Sequence, residues 1–152
     1  MSADQVRELN AKLGGALEQG PKSTLLTVAP DKIADACLGV SSLPGLYHLS
    51  TITGIDTGEK IDILYHFWEG SRFVTVRTVV PKSSPRVPSI AAAMPSATLY
   101  EAEIQDLFGV TFEGNPYVGK RLLLPDDYPA DAPPPMRKEA DPGKIRRMMK
   151  LE

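Results

Sequence analysis

Residues 46–80 read LYHLSTITGIDTGEKIDILYHFWEGSRFVTVRTVV and contain three segments rich in β-branched and aromatic residues. The segments are Leu46–Ile55, Lys60–Trp68 and Phe73–Val80, and the short connections between them carry glycine and polar residues that favour turns. Apolar side chains recur at every second position, and the alternate positions are also partly apolar. This pattern predicts an antiparallel meander with helices on one face and a partner over part of the other.

The segment before the meander predicts an α–β–α arrangement. Residues 2–18 are predicted to form an amphipathic helix, because their apolar residues fall on one stripe. Ser2 with Gln5 has the spacing of a capping box at its start. A short strand is expected at Thr24–Ala29, and Asp31 is placed to cap the helix that follows. The sequence therefore predicts an α+β fold in which helices pack on an antiparallel or mixed sheet.

The segment after the meander changes character, because eleven of the fourteen prolines lie at or after Pro81. One further helix is expected, with Ser96 or Thr98 as its cap and an end near Phe108. Gly109 is placed to end this helix, since glycine readily adopts the left-handed conformation of a helix C-terminus.

The prolines divide the chain into a core domain over residues 1–113 and an extended C-terminal arm over residues 114–152. Regular structure in the arm is doubtful except for one short strand at Lys120–Leu124. In the isolated chain we expect the arm to be flexible and sensitive to proteases. We expect it to become ordered when it binds partner proteins.

The composition is that of an ordinary soluble protein and excludes several kinds of site. The net charge is −2, so no global field steers the chain toward nucleic acid or anionic lipid. Cys37 is the single cysteine, and His48 and His66 have no cysteine or carboxylate at the spacing of a metal site. No apolar run approaches the length that spans a bilayer. The sequence predicts no catalytic, cofactor-binding or metal-ligating residue.

The helix before Gly109 carries three carboxylates, which are Glu101, Glu103 and Asp106. A catalytic acid and base would need a pocket and surroundings that separate their pKa values, and the sequence indicates neither. We expect these carboxylates to form buried or interfacial ion pairs with cations of this chain or of a partner. The candidate cations are Lys120, Arg121, Arg137 and Lys138.

Five motifs of this half resemble, in order, the 30 kDa (C) subunit family of respiratory complex I and its relatives in membrane-bound hydrogenases. YEAE (100–103) and DLFG (106–109) are similar to the family's E-R-E-x-x-D-hydrophobic-hydrophobic-G helix, and FEGNP (112–116) is similar to its F-x-G-H-P loop. KRLLL (120–124) takes the place of a basic R-R-I-L segment, and PMRKE (135–139) resembles P-L-R-K-D. The resemblance marks as motif or partner-interface positions Glu101, Glu103, Asp106, Gly109, Gly114, Pro116, Lys120, Arg121, Arg137 and Lys138.

Two departures from the family pattern affect this motif block. Ala102 stands where the family has the arginine of E-R-E, and Asn115 stands where it has the loop histidine. An ion pair made by that arginine must therefore be absent here or be supplied by another residue.

The resemblance implies a subunit that is not itself catalytic, within the peripheral arm of an oxidoreductase complex on the cytoplasmic side of a membrane. Its partners would be the large catalytic subunit and the small Fe–S subunit, which carry the Fe–S clusters and, in hydrogenases, the NiFe centre. Contact with the membrane arm would run through these partners, and no nucleic acid is expected.

The short length and the L-L-L-P-D-D-Y segment favour the group 4 energy-converting [NiFe] hydrogenases within this class. The alternative is the 30 kDa subunit of an NADH:quinone or F420-linked dehydrogenase. Outside the class, the basic tail over residues 136–152 could bind nucleic acid or another protein. Its aliphatic residues alternate with cations and it has no aromatic residues, which suits a protein groove better.

Overall fold

The structure, a computed structural model, describes residues 3–46, 48–68, 70 and 72–150. Its elements in chain order are α1 (Ala3–Leu13), β1 (Ala16–Gln19), β2 (Ser23–Thr27), a 3-10 turn (Pro30–Lys32), α2 (Ile33–Ser41), β3 (Leu49–Asp56), β4 (Lys60–Trp68), β5 (Phe73–Pro81), β6 (Arg86–Pro88), α3 (Ala97–Phe108), β7 (Thr111–Glu113) and α4 (Pro142–Met148). The predicted α+β class is confirmed. The predicted cap residue Ser2 and the predicted turn residues Glu69 and Ser71 lie outside the described residues.

The main sheet has five strands in the order β1-β2-β5-β4-β3. β3, β4 and β5 form the predicted antiparallel meander, in which Tyr65 pairs with Ile52 on one side and with Val76 on the other. β2 then runs parallel to β5, and β1 returns antiparallel along β2. A separate parallel pair joins β6 to β7 and ties the segment before α3 to the segment after it.

One face of the main sheet forms the core, together with α2 and α3. Tyr65 and Phe67 on β4 are fully buried there, as are Ala36 and Cys37 on α2. Burial raises the pKa of the Cys37 thiol well above its usual range, so this cysteine behaves as a small core residue.

α3 packs closely against β3 because Gly54 leaves room for an aromatic ring. A Cβ atom at Gly54 would lie 2.7 Å from the ring of Phe108. The missing side chain therefore sets the distance between the helix and the sheet.

The other face of the main sheet is formed by the alternate residues of the same strands. We call it the open sheet face, because its apolar side chains are half-buried or exposed, up to 50% for Trp68. Asp62 is the buried exception, and its carboxylate lies 2.6 Å from the guanidinium of Arg77.

The first predicted helix is shorter than expected. α1 ends at Leu13, Gly14 has a φ of +66°, and Ala16–Gln19 forms β1 instead of continuing the helix. The apolar period predicted a longer helix because Leu17 would face inward from a helix as well as from a strand. In the structure it faces inward from β1, whose backbone is paired with β2. Tertiary pairing overrides a weak helical preference here.

The predicted cap Asp31 is wrong, whereas the predicted position of Ser96 at the start of α3 and the predicted helix end are confirmed. Asp31 lies within the 3-10 turn, and Lys32 flanks α2 without a side-chain bond to the helix. Ser96 flanks α3 but makes no capping bond, and Thr98 lies inside the helix. Gly109 ends α3 with a φ of +69°.

The arm packs against the core in the structure, and its flexibility in the isolated chain stays a prediction. The predicted strand at Lys120–Leu124 is wrong, because this stretch forms bends whose amides bond to a side chain of α3. A helix that was not expected, α4, begins where Asp141 accepts hydrogen bonds from the amides of Gly143 and Lys144. The Asp141-Pro142 pair is a helix-start signal that the prolines around it obscured.

Among the described helices, none combines the length and apolar character needed to cross a bilayer.

Candidate functional site

Glu101 lies at the centre of a buried polar cluster beneath α3. Its side chain is 0% exposed, and its carboxylate accepts hydrogen bonds from the Ser89 hydroxyl at 2.5 Å and the Ile90 amide at 2.8 Å. Burial raises the pKa of Glu101, while the bonds from Ser89, Asn115 and the Ile90 amide oppose that rise. This carboxylate therefore joins α3 to the spacer that precedes it.

Asn115 completes this cluster from the loop after β7. Its side-chain amide donates to Glu101 at 2.8 Å and to the Thr98 carbonyl at 3.1 Å, and its oxygen accepts from the Tyr117 amide at 2.8 Å. The residue that replaces the family histidine thus uses both ends of its side chain. It links the buried carboxylate to the first residues of the arm.

Asp106 binds the backbone of the arm. One oxygen of its buried carboxylate accepts from the amides of Leu122 at 2.8 Å, Leu123 at 2.7 Å and Leu124 at 3.0 Å. Three successive N–H groups around one anion form the kind of concave site that usually holds a phosphate or carboxylate. Asp106 fills this site from within the chain and so fixes the course of the arm.

Gln105 adds a second attachment beside Asp106. Its side-chain amide donates to the carbonyls of Tyr117 at 3.0 Å and Lys120 at 2.9 Å. Consecutive residues of α3 thus hold a stretch of the arm by its carbonyls and by its amides.

The C-terminal end of α3 is covered by the later part of the arm. The guanidinium of Arg137 donates to the Phe108 carbonyl at 2.7 Å, and the Met136 amide donates to the Leu107 carbonyl at 3.0 Å. A Cβ atom at Gly109 would lie 2.8 Å from Pro134, so glycine is needed both for the helix end and for this contact. A cation at this position also compensates the negative end of the helix dipole.

An ionic cluster fastens the end of the arm to the main sheet. The Lys82 ammonium lies 2.5 Å from the carboxylates of Asp56 and Glu139, and the Lys138 amide donates to Asp56 at 2.8 Å. Burial alone would raise the pKa of Asp56, but the bonds from Lys82, Lys138 and Gly58 hold it well below its usual range. The bond from Lys82 also lowers the pKa of Glu139.

This cluster predicts a pH-dependent attachment of the arm. Asp56 has a lowered pKa in the folded chain, so its contribution to stability is present above its ordinary pKa of 3.8 and is lost as the pH falls below that value. Replacing Asp56 by asparagine should reduce the free energy of unfolding at pH 7. The urea unfolding curves of the variant and the wild type should approach each other as the pH falls from about 4 toward about 2, because the lowered pKa keeps Asp56 ionised in the folded chain below its ordinary value.

The control for this prediction is Asp31→Asn, which changes an exposed carboxylate of the same type. Hydrogen exchange should report faster exchange of the Lys138 amide in Asp56→Asn alone. Equal loss of stability at about pH 2 and at pH 7 would contradict an ionic origin.

The structure brings some of the predicted interface residues together, but not as the predicted ion pairs within the chain. Glu101 and Asp106 accept from uncharged groups, and Arg121 donates to the carbonyls of Pro125 and Tyr128. Arg137 lies 3.9 Å from Glu139, which was not among its predicted partners. Hydroxyl and backbone amide donors bind these carboxylates because local turns bring them to α3. The charge pattern of the sequence alone does not reveal such turns.

The remaining predicted positions lie at the surface. The side chains of Glu103, Lys120 and Lys138 are exposed and form no ion pair within the described part of the chain, so pairing with a partner stays a prediction. Pro116 is exposed, and Gly114 has a φ of +94° in the turn before Asn115. The sequence reasoning did not find the roles of Asp56, Lys82, Ser89 and Glu139, and it singled out Asn115 without its bond to Glu101.

Four apolar side chains of the arm are exposed, while α3 and β3 hold its backbone. These side chains define the arm surface, with Leu123 exposed to 56% and Met136 to 57%. Its members are Val118, Leu122, Leu123 and Met136. The arm surface therefore combines a backbone that is fixed to the core with apolar side chains that face solvent. Such a surface is suited to binding a protein.

An open depression of about 300 Å³ lies between α3 and the arm, beside Asp106 and Lys120. The carboxylate of Asp106 is already occupied by the three amides, and it has no histidine or thiol beside it in the lining of the depression. No cluster of three or more potential metal ligands occurs among the described residues. The geometry favours a structural role for these carboxylates.

Comparisons with known proteins agree on one family. The sequence profile described as respiratory-chain NADH dehydrogenase, 30 Kd subunit, matches residues 26–145. The chain is 31% identical over 127 residues to the C subunit of the NADH-quinone oxidoreductase of Moorella thermoacetica, over 81% of this chain and 83% of that protein. It is 29% identical to the corresponding NADH-quinone oxidoreductase protein of Thermus thermophilus, over 95% of this chain and 74% of that protein.

Some other relatives are longer. The chain spans 35% of the corresponding protein of a Nocardioides species and 52% of that of Acidothermus cellulolyticus.

Two solved structures share the fold. A chain of the membrane-bound sulfane sulfur reductase, an archaeal respiratory membrane complex, superposes with a TM-score of 0.79 at 25% identity, over 97% of this chain and 91% of that one. A trypsin-resistant fragment of Nqo5 superposes with a TM-score of 0.62 at 25% identity, over 73% and 94%.

Proposed function

Because this chain belongs to the family of the 30 kDa subunit of the respiratory-chain NADH dehydrogenase, and is thus a subunit of a complex I-related oxidoreductase, we propose that it is a non-catalytic docking subunit. The family predicted from the motifs is confirmed. The chain would bind the large catalytic subunit and the small Fe–S subunit of its complex. The single observation that carries this role is the arm surface, whose backbone is held in place by Gln105 and Asp106.

The fixed arm supports docking for a thermodynamic reason. A flexible arm loses conformational entropy when it binds, and an arm that is already held loses less. We propose that residues 1–113 form a rigid bracket and that residues 114–152 make the main contact with the partner. Glu103, Lys120 and Lys138 would then form ion pairs across the interface, since their charges are exposed.

Within the class, we propose a group 4 energy-converting [NiFe] hydrogenase as the complex, with the 30 kDa subunit of an NADH:quinone or F420-linked dehydrogenase as the alternative. The similarity to a chain of an archaeal respiratory membrane complex that is not an NADH-quinone oxidoreductase by name is compatible with the first. The names of the similar sequences support the second. Hydrogen-dependent or NADH-dependent electron transfer by the purified complex distinguishes the two.

The proposed location is the cytoplasmic side of a membrane, where the other subunits hold the chain in the peripheral arm. Fe–S clusters, and the NiFe centre in a hydrogenase, would be carried by the partner subunits. The basic tail over residues 136–152 has part of its apolar surface in use, because Ile145 on α4 is buried. The interleaved aliphatic residues and the lack of aromatic residues still suit a protein contact better than nucleic acid.

The docking role predicts that Leu123→Asp weakens assembly without unfolding the chain. Leu123 is exposed, so a carboxylate there is tolerated in the free subunit, but it would be desolvated against a partner. We expect the affinity for the large catalytic subunit to fall at least tenfold, which corresponds to about 1.4 kcal/mol. Pull-down with the tagged chain and quantitative mass spectrometry of the complex measure the effect.

The matched control is Leu38→Asp, which places the same charge on α2 at a leucine that is 39% exposed. This variant should assemble like the wild type. Unchanged assembly of Leu123→Asp, with its circular dichroism also unchanged, would reject the arm surface as the docking site.

A further inference from the structure

We propose that the end of the open sheet face around Trp68 and Phe73 is a second docking site, which binds an apolar surface rimmed by carboxylates on another subunit of the same complex. The inference rests on the proposed docking function and adds a second partner contact. It concerns the far end of the β4–β5 hairpin, where Trp68 and Phe73 are directly opposite in the register.

The aromatic pair is the first observation. The two rings stack with centroids 6.0 Å apart and planes inclined by 15°, yet Trp68 is 50% exposed and Phe73 is 48% exposed. Each ring therefore leaves on the order of 100 Å² in water. Tryptophan and other large aromatic residues are the side chains most often found at the centre of protein interfaces.

The stacking holds these rings ready for a partner. Stacked side chains lose little further freedom on binding, so the contact is organised in advance. The strands beneath are fixed, since Phe73 donates its amide to the Lys22 carbonyl at 2.9 Å and pairs with Ser23 of β2. The aromatic pair contributes nothing to the core, which lies on the opposite face of the sheet. Its rings are therefore available to bind a partner protein.

Charge at this end specifies the partner. Lys22 and Arg72 are exposed next to Phe73, and neither forms an ion pair within the described residues. The described residues Lys22 and Arg72 thus bring two positive charges to this end. A partner with carboxylates around an apolar patch satisfies both the rings and the cations.

The charged and imidazole side chains in the middle of the open sheet face have partners within the chain, which favours its end as the site. The Arg77–Asp62 pair neutralises its own charges at 2.6 Å. The His66 ring is within hydrogen-bonding distance of the Thr75 and Thr53 hydroxyls, at 2.9 Å and 3.0 Å, and burial lowers the pKa of His66. The uncommitted charge therefore lies beside the aromatic pair.

Other occupants fit less well. A second copy of this chain, related by a two-fold axis through the rings, would bring the Lys22 and Arg72 cations of both copies together. Two cations supply only weak attraction to anionic lipid or to a nucleic-acid backbone. A carboxylate-rimmed protein surface is the occupant that uses every feature of the site.

The test uses the native complex and a zero-length carbodiimide, which joins a lysine amine to a carboxylate in direct contact. Mass spectrometry of the digested complex should identify Lys22 joined to Asp or Glu of another subunit. Lys22→Arg keeps the charge and should remove this product. Trp68→Ala combined with Phe73→Ala should reduce its yield at least fivefold.

The outcomes separate this inference from the proposed function. Coupling of Lys22 only to Glu69 or other carboxylates of its own chain, or to a second copy, overturns the second site while Leu123→Asp still disrupts assembly.

Because Trp68 is the only tryptophan, its fluorescence in the isolated chain reports directly on this end. A blue shift with vesicles containing 30% anionic lipid, or quenching by oligouridine at 150 mM salt, also overturns it; an unchanged spectrum with both supports it.

Discussion

Replacing Glu101 by alanine is expected to lower the free energy of unfolding by about 4 kcal/mol. The substitution leaves the Ser89 hydroxyl, the Ile90 amide and the Asn115 amide without their buried acceptor, and each unsatisfied buried group costs about 1–3 kcal/mol. It also leaves a cavity in a site that is 0% exposed. Urea denaturation at pH 7 measures the loss.

Glu103→Ala is the matched control, since it removes an exposed carboxylate from the same helix. It should change the free energy of unfolding by less than about 0.5 kcal/mol. Equal effects of the two substitutions would show that the buried cluster does not stabilise the chain.

Glu101→Gln separates the charge of Glu101 from its shape. Because the pKa of Glu101 is raised in the folded chain, the folded state keeps its proton to a higher pH than the unfolded state. The free energy of unfolding therefore falls as the pH rises above the ordinary value of 4.5. Glutamine does not titrate, so its cost relative to the wild type should be largest near pH 4 and shrink toward pH 7. This trend is opposite in sign to that of Asp56→Asn.

The second large effect is expected from Asp106→Ala, at about 3 kcal/mol. The variant removes three charge-assisted hydrogen bonds, and water can replace part of them because the amides of residues 122–124 lie near the surface. The loss should be local, so hydrogen exchange of the Leu122, Leu123 and Leu124 amides should accelerate at least tenfold while the amides of β4 stay protected.

Asp106→Asn supplies the intermediate case, since an amide oxygen accepts without a charge. We expect it to recover about half of the loss. The arm surface should also lose its fixed course in Asp106→Ala, so binding of the large subunit should weaken in parallel. Intact binding would indicate that the partner orders the arm by itself.

The sequence was most informative where one local rule acts alone. The alternation over residues 60–80 predicted the meander, and Gly109 predicted the end of α3. The motifs predicted the family, because several short patterns in order are specific even when each is weak. The first helix was predicted too long, since Leu17 satisfies both a helical and a strand period and only pairing with β2 decides between them.

The partners of the carboxylates could not be read from the sequence. The Asp56–Lys138 contact joins residues 82 positions apart, and Lys82 reaches Asp56 only because β3 and β5 flank β4. The sequence located the charges on α3, but it could not show that backbone amides would occupy Asp106. Asn115 was noticed only as a departure from the family pattern, although its amide is the donor that the buried Glu101 uses.

The closure of the arm onto Asp56 has a consequence for biosynthesis. A ribosome releases the sheet and α3 well before Lys138 and Glu139, so the core can fold first and the arm is laid down last. A nascent or prematurely terminated polypeptide therefore lacks the finished binding surface.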